Sequence, residues 1–371
     1  MIHFSIPYRS RNESKVLSEV LNTNHRKGDG YFTKKATHLL EEMTSSSALL
    51  TPSCTAALEI AALLCDIKPG DEVIMPSFTF VSTANAFLLR GAKIVFVDID
   101  RVSMNIQPEC IEAAITNKTK AIVIVHYAGV PCDIKEILRI KEKYNCFLIE
   151  DAAQAIGSYF NGKHLGTFGD VGCISFHDTK NINCGEGGAI FINNETLIER
   201  CEIIREKGTN RKAFFNGAVD KYTWKSVGSS YLPSEFQSAI LFDQLKYVRK
   251  VNELRKEISI NYYHGLRNLE GIELMDEDNL HSGNGHLFFI KSKSSEQRNT
   301  LLQTLNKNGI NATFHYIPLH STDFGKHNSL FLGEDKHTTS ESNRLIRLPL
   351  HTYLTKDDIH KIIDSIKRFY V

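Results

Sequence analysis

Short apolar segments alternate with helical patterns between residues 47 and 150, and this alternation constrains the fold more than any other feature of the chain. Strands that are separated by about 10–15 residues of helical period indicate crossover connections and a mostly parallel sheet. The run Ala121–Val125 is apolar at every position, as expected for a strand that is buried on both faces. The sequence therefore predicts an α/β fold. The predicted strands of this region are 47–51, 72–75, 93–97, 121–125 and 146–150.

Beyond residue 150 the pattern changes. Residues 172–175 and 189–192 read as two further strands of the same sheet, and a long, broken helical pattern at 234–269 leads away from it. The remainder mixes strands with helices, which is typical of a smaller α+β domain. We expect a large domain over residues 1–240 and a small one over 241–371, since 371 residues exceed what one hydrophobic core usually supports. The predicted elements of the small domain are strands 286–290 and 312–315 and helices 297–307, 338–344 and 356–369.

Composition excludes several classes of function. The net charge of +1 gives no overall field that would attract nucleic acid or an anionic membrane. No cationic leader is followed by a long apolar run, and no apolar stretch reaches the roughly 18 residues of a membrane span, so we expect a cytoplasmic protein. The eight cysteines form no CxxC pair and lie mostly in apolar segments. They are interpreted as buried thiols of a reducing compartment, with no metal site.

Two side chains suggest a chemistry. Asp151 follows an apolar strand, at the edge where parallel sheets bind ligands, and Lys180 comes 29 residues later, after another predicted strand. A cofactor with an aldehyde and a pyridine ring needs an amine for a Schiff base and a carboxylate that keeps the ring nitrogen protonated. Each residue has an ordinary alternative: Asp151 as a helix N-cap and Lys180 as a solvated surface residue.

Other residues could complete such a site. Cys54 and Thr55 begin a helix after a strand, where free amides and hydroxyls can bind a phosphate, and Ser175 could add a hydroxyl. Taken alone, this segment is better explained as a capped helix start than as a phosphate site. Phe80, near another strand end, could stack on a ring or could simply be a core residue.

In combination these segments resemble the DegT/DnrJ/EryC1/StrS sugar aminotransferases, which are fold-type I pyridoxal-phosphate enzymes. The resemblance implies a mostly parallel seven-stranded sheet sandwiched by helices, with a smaller C-terminal α+β domain. It also implies a homodimer. A related dehydratase branch has histidine at the lysine position, so Lys180 argues against that branch. The segments that carry the resemblance are TPSCTAAL (51–58), GDEVIMPSFTF and its continuation (70–98), VHYAG (125–129), EDAAQ (150–154), SFHDTK (175–180), GEGG (185–188), REKGTNR (205–211) and FHYIPLH (314–320).

The resemblance also implies residue roles. Lys180 would form the Schiff base and shuttle the proton, Asp151 would pair with the ring nitrogen, and Gln154 would contact the phenolic oxygen. Phe80 would stack on the ring, while the phosphate would be held by Cys54, Thr55 and Ser175.

The substrate and dimer contacts are expected from two further segments. Tyr316 and His320 would lie in the substrate pocket. A metal role for the histidines of this segment is disfavoured because Pro318 argues against a helix and no acidic partner is expected nearby. Many relatives carry Asn and Arg near positions 230 and 232, on a loop that reaches the partner's cofactor phosphate. This chain has Ser230 and Leu232 there, so Ser230 would keep only a hydroxyl for that contact.

Within the family, the segments at 205–211 and 220–235 are typical of transaminases acting on dTDP-4-dehydro-6-deoxy-D-glucose. L-Glutamate would then be the amino donor. The product would be dTDP-4-amino-4,6-dideoxy-D-glucose or its D-galactose epimer, used in O-antigen or enterobacterial common antigen. Amination at C3 or of another nucleotide-sugar or cyclitol, and a non-catalytic cofactor-binding regulator, are the alternatives.

Overall fold

A computed structural model describes residues 1–370 of the chain. Its centre is an eight-stranded sheet, and two smaller sheets accompany it. The strands are β1 Ser47–Thr51, β2 Glu72–Pro76, β3 Lys93–Val97, β4 Thr119–Val125, β5 Phe147–Asp151, β6 Tyr159–Phe160, β7 Lys163–His164, β8 Val171–Ser175, β9 Gly188–Ile192, β10 Ile272–Leu274, β11 Phe289–Ser292, β12 Ser329–Phe331 and β13 Leu345–Arg347.

Helices cover the large sheet and build most of the C-terminal part. They are α1 Glu13–Leu21, α2 Tyr31–Thr44, α3 Cys54–Leu64, α4 Val81–Leu88, α5 Pro108–Ala114, α6 Ile134–Tyr144, α7 Ile198–Arg205, α8 Arg211–Phe215, α9 Glu235–Leu245, α10 Val248–Leu266, α11 Glu277–Ser282, α12 Ser295–Lys307, α13 Asp323–Asn328, α14 Thr338–Arg344 and α15 Lys356–Tyr370. Within residues 1–370, none of these helices combines the length and apolarity that crossing a membrane requires.

The large sheet has the order β1-β9-β8-β5-β4-β2-β3-β12. Strands β8, β5, β4, β2, β3 and β12 pair in parallel, whereas β9 runs antiparallel to both β8 and β1. The parallel core therefore brings the carboxyl ends of β2, β5 and β8 to one edge. In open α/β sheets this is the edge at which ligands bind.

Alternation along the central strands explains why both faces of the sheet are covered. In β4, Ala121 and Val123 pack in the cluster with α3, α4 and α7, while Ile122 and Ile124 pack in the cluster with α5 and α6. Successive side chains point to opposite faces, so a strand buried on both faces needs an apolar residue at every position. The uninterrupted apolar run is thus explained by two helical layers.

The C-terminal part packs helices against the three-stranded antiparallel sheet β10-β11-β13. Helix α15 buries Ile359, Ile362 and Ile366 against this core. The chain's N-terminus joins the same core: Ile2 forms a bridge with Ile310 and is buried there. Residues far apart in sequence therefore build this region together.

The predicted α/β fold is confirmed, and seven predicted strands of the large sheet are present within a residue or two. The sheet has one strand more than expected, because β12 returns from the C-terminal region to pair with β3. The predicted strand at 312–315 is wrong: only Thr313 forms an isolated bridge, with Arg347. The strand predicted at 286–290 begins three residues later, at Phe289. Helices α1 and α2 had no sequence prediction.

Candidate active site

A cavity of about 490 Å³ opens at the carboxyl edge of the large sheet. Strands β5 and β8, the beginnings of α3 and α4, and the C-terminal region all contribute to its wall. Eight of the ten residues predicted for the site line it: Cys54, Thr55, Phe80, Asp151, Gln154, Ser175, Lys180 and Tyr316.

Asp151 is the last residue of β5, and its carboxylate is buried. One oxygen accepts a hydrogen bond from Thr83 Oγ1 at 2.7 Å and the other accepts one from the amide of Ala153 at 3.1 Å. Burial raises the pKa of Asp151, and these hydrogen bonds oppose the shift. The Asp151 carboxylate is thus fixed in orientation at the cavity wall, where a cationic group would favour its charged form.

Lys180 lies in the loop between β8 and β9, and its side chain lines the same cavity. Burial lowers the pKa of Lys180, which favours the neutral amine that nucleophilic chemistry requires. The next residue, Asn181, anchors the loop: its amide nitrogen donates to Asn252 Oδ1 at 2.8 Å and to the carbonyl of Asn284 at 3.0 Å. Lys180 therefore projects from a loop that is tied to the C-terminal region.

The beginning of α3 also lines the cavity, through Cys54 and Thr55. Ser53 caps the helix by accepting from the amide of Ala56 at 3.1 Å, which leaves the first-turn amides of Cys54 and Thr55 without an intrahelical acceptor. At Gly188 of β9 a Cβ atom would lie 2.4 Å from the Ser53 carbonyl carbon, so only glycine allows this close approach. The hydroxyl of Ser175 lies at the end of the adjacent strand β8.

Gln154, Tyr316 and Phe80 form another wall. Gln154 Oε1 accepts from the amide of Ala128 at 2.7 Å, and its Nε2 donates to the Tyr316 hydroxyl at 3.2 Å. The Phe80 ring centroid lies 6.4 Å from that of Tyr316, and Phe80 is 55% exposed. That exposure excludes the interpretation of Phe80 as a core residue.

His320 and Ser230 do not line the cavity. His320 Nδ1 hydrogen-bonds Ser77 Oγ at 2.7 Å and its Nε2 lies 3.1 Å from Asp335 Oδ2, so both ring nitrogens are engaged elsewhere. The expectation that His320 lies in the substrate pocket is not met in this structure, and the argument that no acidic residue is near it is wrong. Ser230 is exposed and forms a backbone bridge with Glu206. Its expected contact with a partner subunit stays a prediction.

Sequence reasoning missed several cavity residues from the C-terminal region, among them His286, His315 and Arg347. His286 is buried, which lowers its pKa well below the usual range. Its Nδ1 lies 3.0 Å from Asn181 Oδ1, and since the Asn181 amide nitrogen already donates twice, that oxygen must accept from His286. The neutral His286 ring therefore keeps its Nε2 lone pair free. A lone arginine inside the apolar segment 345–350 was a signal that could have identified Arg347.

The donor set of this cavity fits pyridoxal 5'-phosphate. It combines a buried lysine of lowered pKa, a fixed carboxylate and a helix start with free amides beside a serine hydroxyl. By contrast, within residues 1–370 no group of three or more His, Cys, Asp or Glu side chains is arranged to hold a metal ion.

Comparison with known proteins agrees with this chemistry. The family model described as DegT/DnrJ/EryC1/StrS aminotransferase family matches residues 7–367. An uncharacterized protein of Methanocaldococcus jannaschii, MJ1066, is 34% identical over 377 residues, covering 98% of this chain and 97% of that protein.

Solved structures extend the comparison. The aminotransferase TlmJ from Streptoalloteichus hindustanus superposes with a TM-score of 0.91 at 26% identity, covering 100% of this chain and 98% of its own. Helicobacter pylori PseC, an aminotransferase involved in the biosynthesis of pseudoaminic acid, has a TM-score of 0.90 at 27% identity. The match covers 100% of this chain and 99% of PseC. A putative sugar aminotransferase from Streptococcus pneumoniae, Spr1654, has been solved in PMP and PLP forms. The PMP form has a TM-score of 0.89 at 26% identity, and the match covers 100% of this chain and 99% of that one.

Proposed function

Because this chain belongs to the DegT/DnrJ/EryC1/StrS aminotransferase family, we propose that it transfers the amino group of L-glutamate to C4 of dTDP-4-dehydro-6-deoxy-D-glucose. The chain is a pyridoxal-phosphate-dependent aminotransferase. One observation carries the assignment of its active site: the amine of Lys180 and the carboxylate of Asp151 line the same buried cavity.

When bound, pyridoxal 5'-phosphate supplies an aldehyde that takes up the amino group and a ring that accepts the electrons released at the substrate carbon. Asp151 would hold the proton on the ring nitrogen, and Thr83 would keep its carboxylate in place. Phosphate would be held by the Cys54 and Thr55 amides together with the Ser175 hydroxyl. Phe80 would stack on the ring and Gln154 would contact its phenolic oxygen.

Lys180 would move the proton. Burial lowers its pKa, so that the amine can take a proton from the donor's α-carbon and return one to sugar C4. The neutral Nε2 of His286, on the same wall, would accept a hydrogen bond from a sugar hydroxyl or from Lys180. Both side chains line the same cavity, as these roles require.

Support for the sugar substrate comes from likeness. The segments at 205–211 and 220–235 resemble those of the transaminases that act on the 4-keto sugar. PseC, which is 27% identical and covers the whole chain, is an aminotransferase involved in the biosynthesis of pseudoaminic acid. The face of C4 that receives the proton depends on how the nucleotide-sugar is held, so the product is proposed as either of the two C4 epimers. The product would serve O-antigen or enterobacterial common antigen.

The test is direct. Purified enzyme is incubated with L-glutamate and dTDP-4-dehydro-6-deoxy-D-glucose, and 2-oxoglutarate and the aminated nucleotide-sugar are measured. We expect both products in equal amounts, and coupling constants from NMR then assign the C4 epimer. The corresponding 3-keto sugar is offered in parallel. Preference for it, or for a cyclitol ketone, would contradict the proposed substrate but not the aminotransferase activity.

A further inference from the structure

Arg347 is a cation that enters the cavity without an anionic partner. It ends β13, and its backbone is fixed by an amide donated to the carbonyl of Thr313 at 2.7 Å and by register with Phe289 of β11. Within residues 1–370, no salt bridge or side-chain hydrogen bond involves its guanidinium, and its Nε atom is buried without a partner. The nearest compensation is the face of the Phe4 ring, whose centroid lies 4.6 Å away.

Two buried cations of this protein, Arg255 and Lys291, are by contrast paired. Arg255 donates to the carbonyls of Gly285 and His286 at 2.9 and 2.7 Å. Lys291 pairs with Glu341 at 2.8 Å. Burying the Nε of a guanidinium without an acceptor is costly, and an aromatic face recovers only part of the loss. Arg347 is therefore arranged for an anion that arrives with a ligand.

Three anions could enter this cavity. The cofactor phosphate is expected at the start of α3, on the wall formed by the large sheet. In a nucleotide-sugar the diphosphate is attached at C1, across the ring from the reacting C4. In an amino acid the α-carboxylate is bonded directly to the reacting carbon. Arg347 shares its wall with Tyr316 and His315, and its charge adds to burial in lowering the pKa of Lys180. This proximity to the reacting amine favours the carboxylate.

We propose that Arg347 binds the carboxylate of the amino donor and so determines which amino compounds the enzyme accepts. This inference rests on the proposed function. A guanidinium presents two parallel N–H donors that match a carboxylate, which a single ammonium cannot do. The keto sugar has no carboxylate, so the second half-reaction does not need this contact.

The two half-reactions allow a sharp test. Arg347→Met and Arg347→Lys are loaded with pyridoxal 5'-phosphate and mixed with L-glutamate, and the absorbance change is followed in a single turnover. We expect kcat/KM for glutamate to fall roughly 10- to 100-fold in Arg347→Met, with a smaller loss in Arg347→Lys. The same variants are also loaded with pyridoxamine phosphate and mixed with the keto sugar. The rate of this second half-reaction should lie within about threefold of the parent rate, which is a small difference in free energy.

Arg298 offers a matched control. Its Nε is also buried without a partner, and its guanidinium lies 5.5 Å from the Phe314 ring, but it does not line the cavity. Arg298→Met should leave both half-reactions unchanged. The absorbance spectrum of the bound cofactor checks that each variant is folded.

Binding of 2-oxoglutarate to the pyridoxamine-phosphate form, measured by calorimetry, separates this inference from the proposed substrate. Binding that is as tight in Arg347→Met as in the parent would overturn the role of Arg347, whichever sugar is aminated. A loss confined to the keto-sugar half-reaction, or equal in both half-reactions, would overturn it as well. Failure of the proposed sugar substrate would appear only in the second half-reaction of the parent enzyme.

Discussion

At the scale of single residues, burial has opposite consequences for the two groups that define the cavity. It lowers the pKa of Lys180 and raises that of Asp151, because desolvation disfavours the charged form of either group. A neutral amine is the form that attacks an aldehyde. For Asp151, a positive partner favours the charged carboxylate, and a protonated pyridine ring would provide one. The two shifts therefore suit one cofactor.

Lys180→Ala should retain folding but lose turnover, because among residues 1–370 Lys180 is the lysine that lines the cavity and could form the Schiff base or move the proton. The visible absorbance of the cofactor–lysine adduct should disappear, and 2-oxoglutarate release should cease. Lys143, which lies on α6 and pairs with Glu112 at 2.7 Å, provides the control Lys143→Ala. Full activity in the Lys180 variant would contradict the assigned role.

Asp151→Asn should bind the cofactor yet react roughly 10²- to 10³-fold more slowly, as when a preorganised electrostatic contact is removed from an active site. An amide cannot hold the ring proton as a carboxylate does. Thr83→Val removes the 2.7 Å hydrogen bond to the carboxylate and the 2.8 Å hydrogen bond between the Thr83 and Thr79 hydroxyls, and it should have a smaller effect. The measurement is kcat for both half-reactions, and parental rates in Asp151→Asn would remove its proposed role.

At the scale of secondary-structure elements, Glu150 organises the segment between β5 and β8. Its buried carboxylate accepts from His126 Nε2 at 2.8 Å and from the amides of Gly166, Phe168 and Gly169 at 2.7, 2.6 and 2.6 Å. Its neighbour Asp151 faces the cavity, whereas Glu150 points to the opposite face of the sheet, as strand alternation requires. One residue of the pair therefore serves the site and the other fixes the strand that carries it.

Glu150→Gln should destabilise the protein by about 3 kcal/mol or more, because a side-chain amide cannot accept from four donors and leaves buried N–H groups unpaired. Urea denaturation measures the loss. Glu142, exposed on α6, gives the control Glu142→Gln, for which no comparable change is expected.

The difference in unfolding free energy between the parent and Glu150→Gln should depend on pH. Burial opposes the charge of Glu150, but hydrogen bonds from His126 and the two glycine amides outweigh it, so the pKa of Glu150 is lowered. A lowered folded-state pKa contributes stability above the unfolded value, about 4.3, and this contribution is lost as the pH falls toward the folded-state pKa. The gap between parent and Glu150→Gln should therefore narrow in acid. A gap that is the same at neutral and acidic pH would contradict this origin.

At the scale of the whole molecule, the segment from α8 to Ser230 presents a group of exposed apolar side chains. Phe215 is 69% exposed, Trp224 80% and Val227 60%. Large apolar side chains exposed on one segment are candidates for an interaction site. A second copy of the chain is the occupant that we propose, because Ser230, expected to reach a partner's phosphate, lies at the end of the same segment.

Trp224→Asp should shift the protein from a dimer toward a monomer, since a buried charge opposes association. Light scattering coupled to size-exclusion chromatography measures the mass. Phe324, 63% exposed on α13 and outside this segment, gives the control Phe324→Asp, which should stay dimeric. If Trp224→Asp keeps the parent's mass at low micromolar concentration, this surface is not the interface.

Much of the fold and half of the site follow from local pattern. Apolar runs and helical periods specify β1 to β5, and parallel pairing then brings Asp151, Ser175 and the start of α3 to one edge. Lys180 and Cys54 could be placed there from sequence because each follows a strand of the same sheet. Local pattern could not predict strand β12, the contact of His320 with Ser77 or the exposure of Phe80.

The sequence by itself determined the α/β class, the succession of strands and helices along the first part of the chain, and the residues at the strand ends that line the cavity. Only the tertiary structure decided the order of the strands in the sheet, the contact of Tyr316 with Gln154 across 162 residues, and the position of Arg347, whose Nε is buried without a partner among residues 1–370. The physical reason is that sequence patterns report only interactions between residues that are close along the chain. Periodicity reports which face of an element is buried, whereas a contact between distant segments depends on how whole elements pack, which no local pattern encodes.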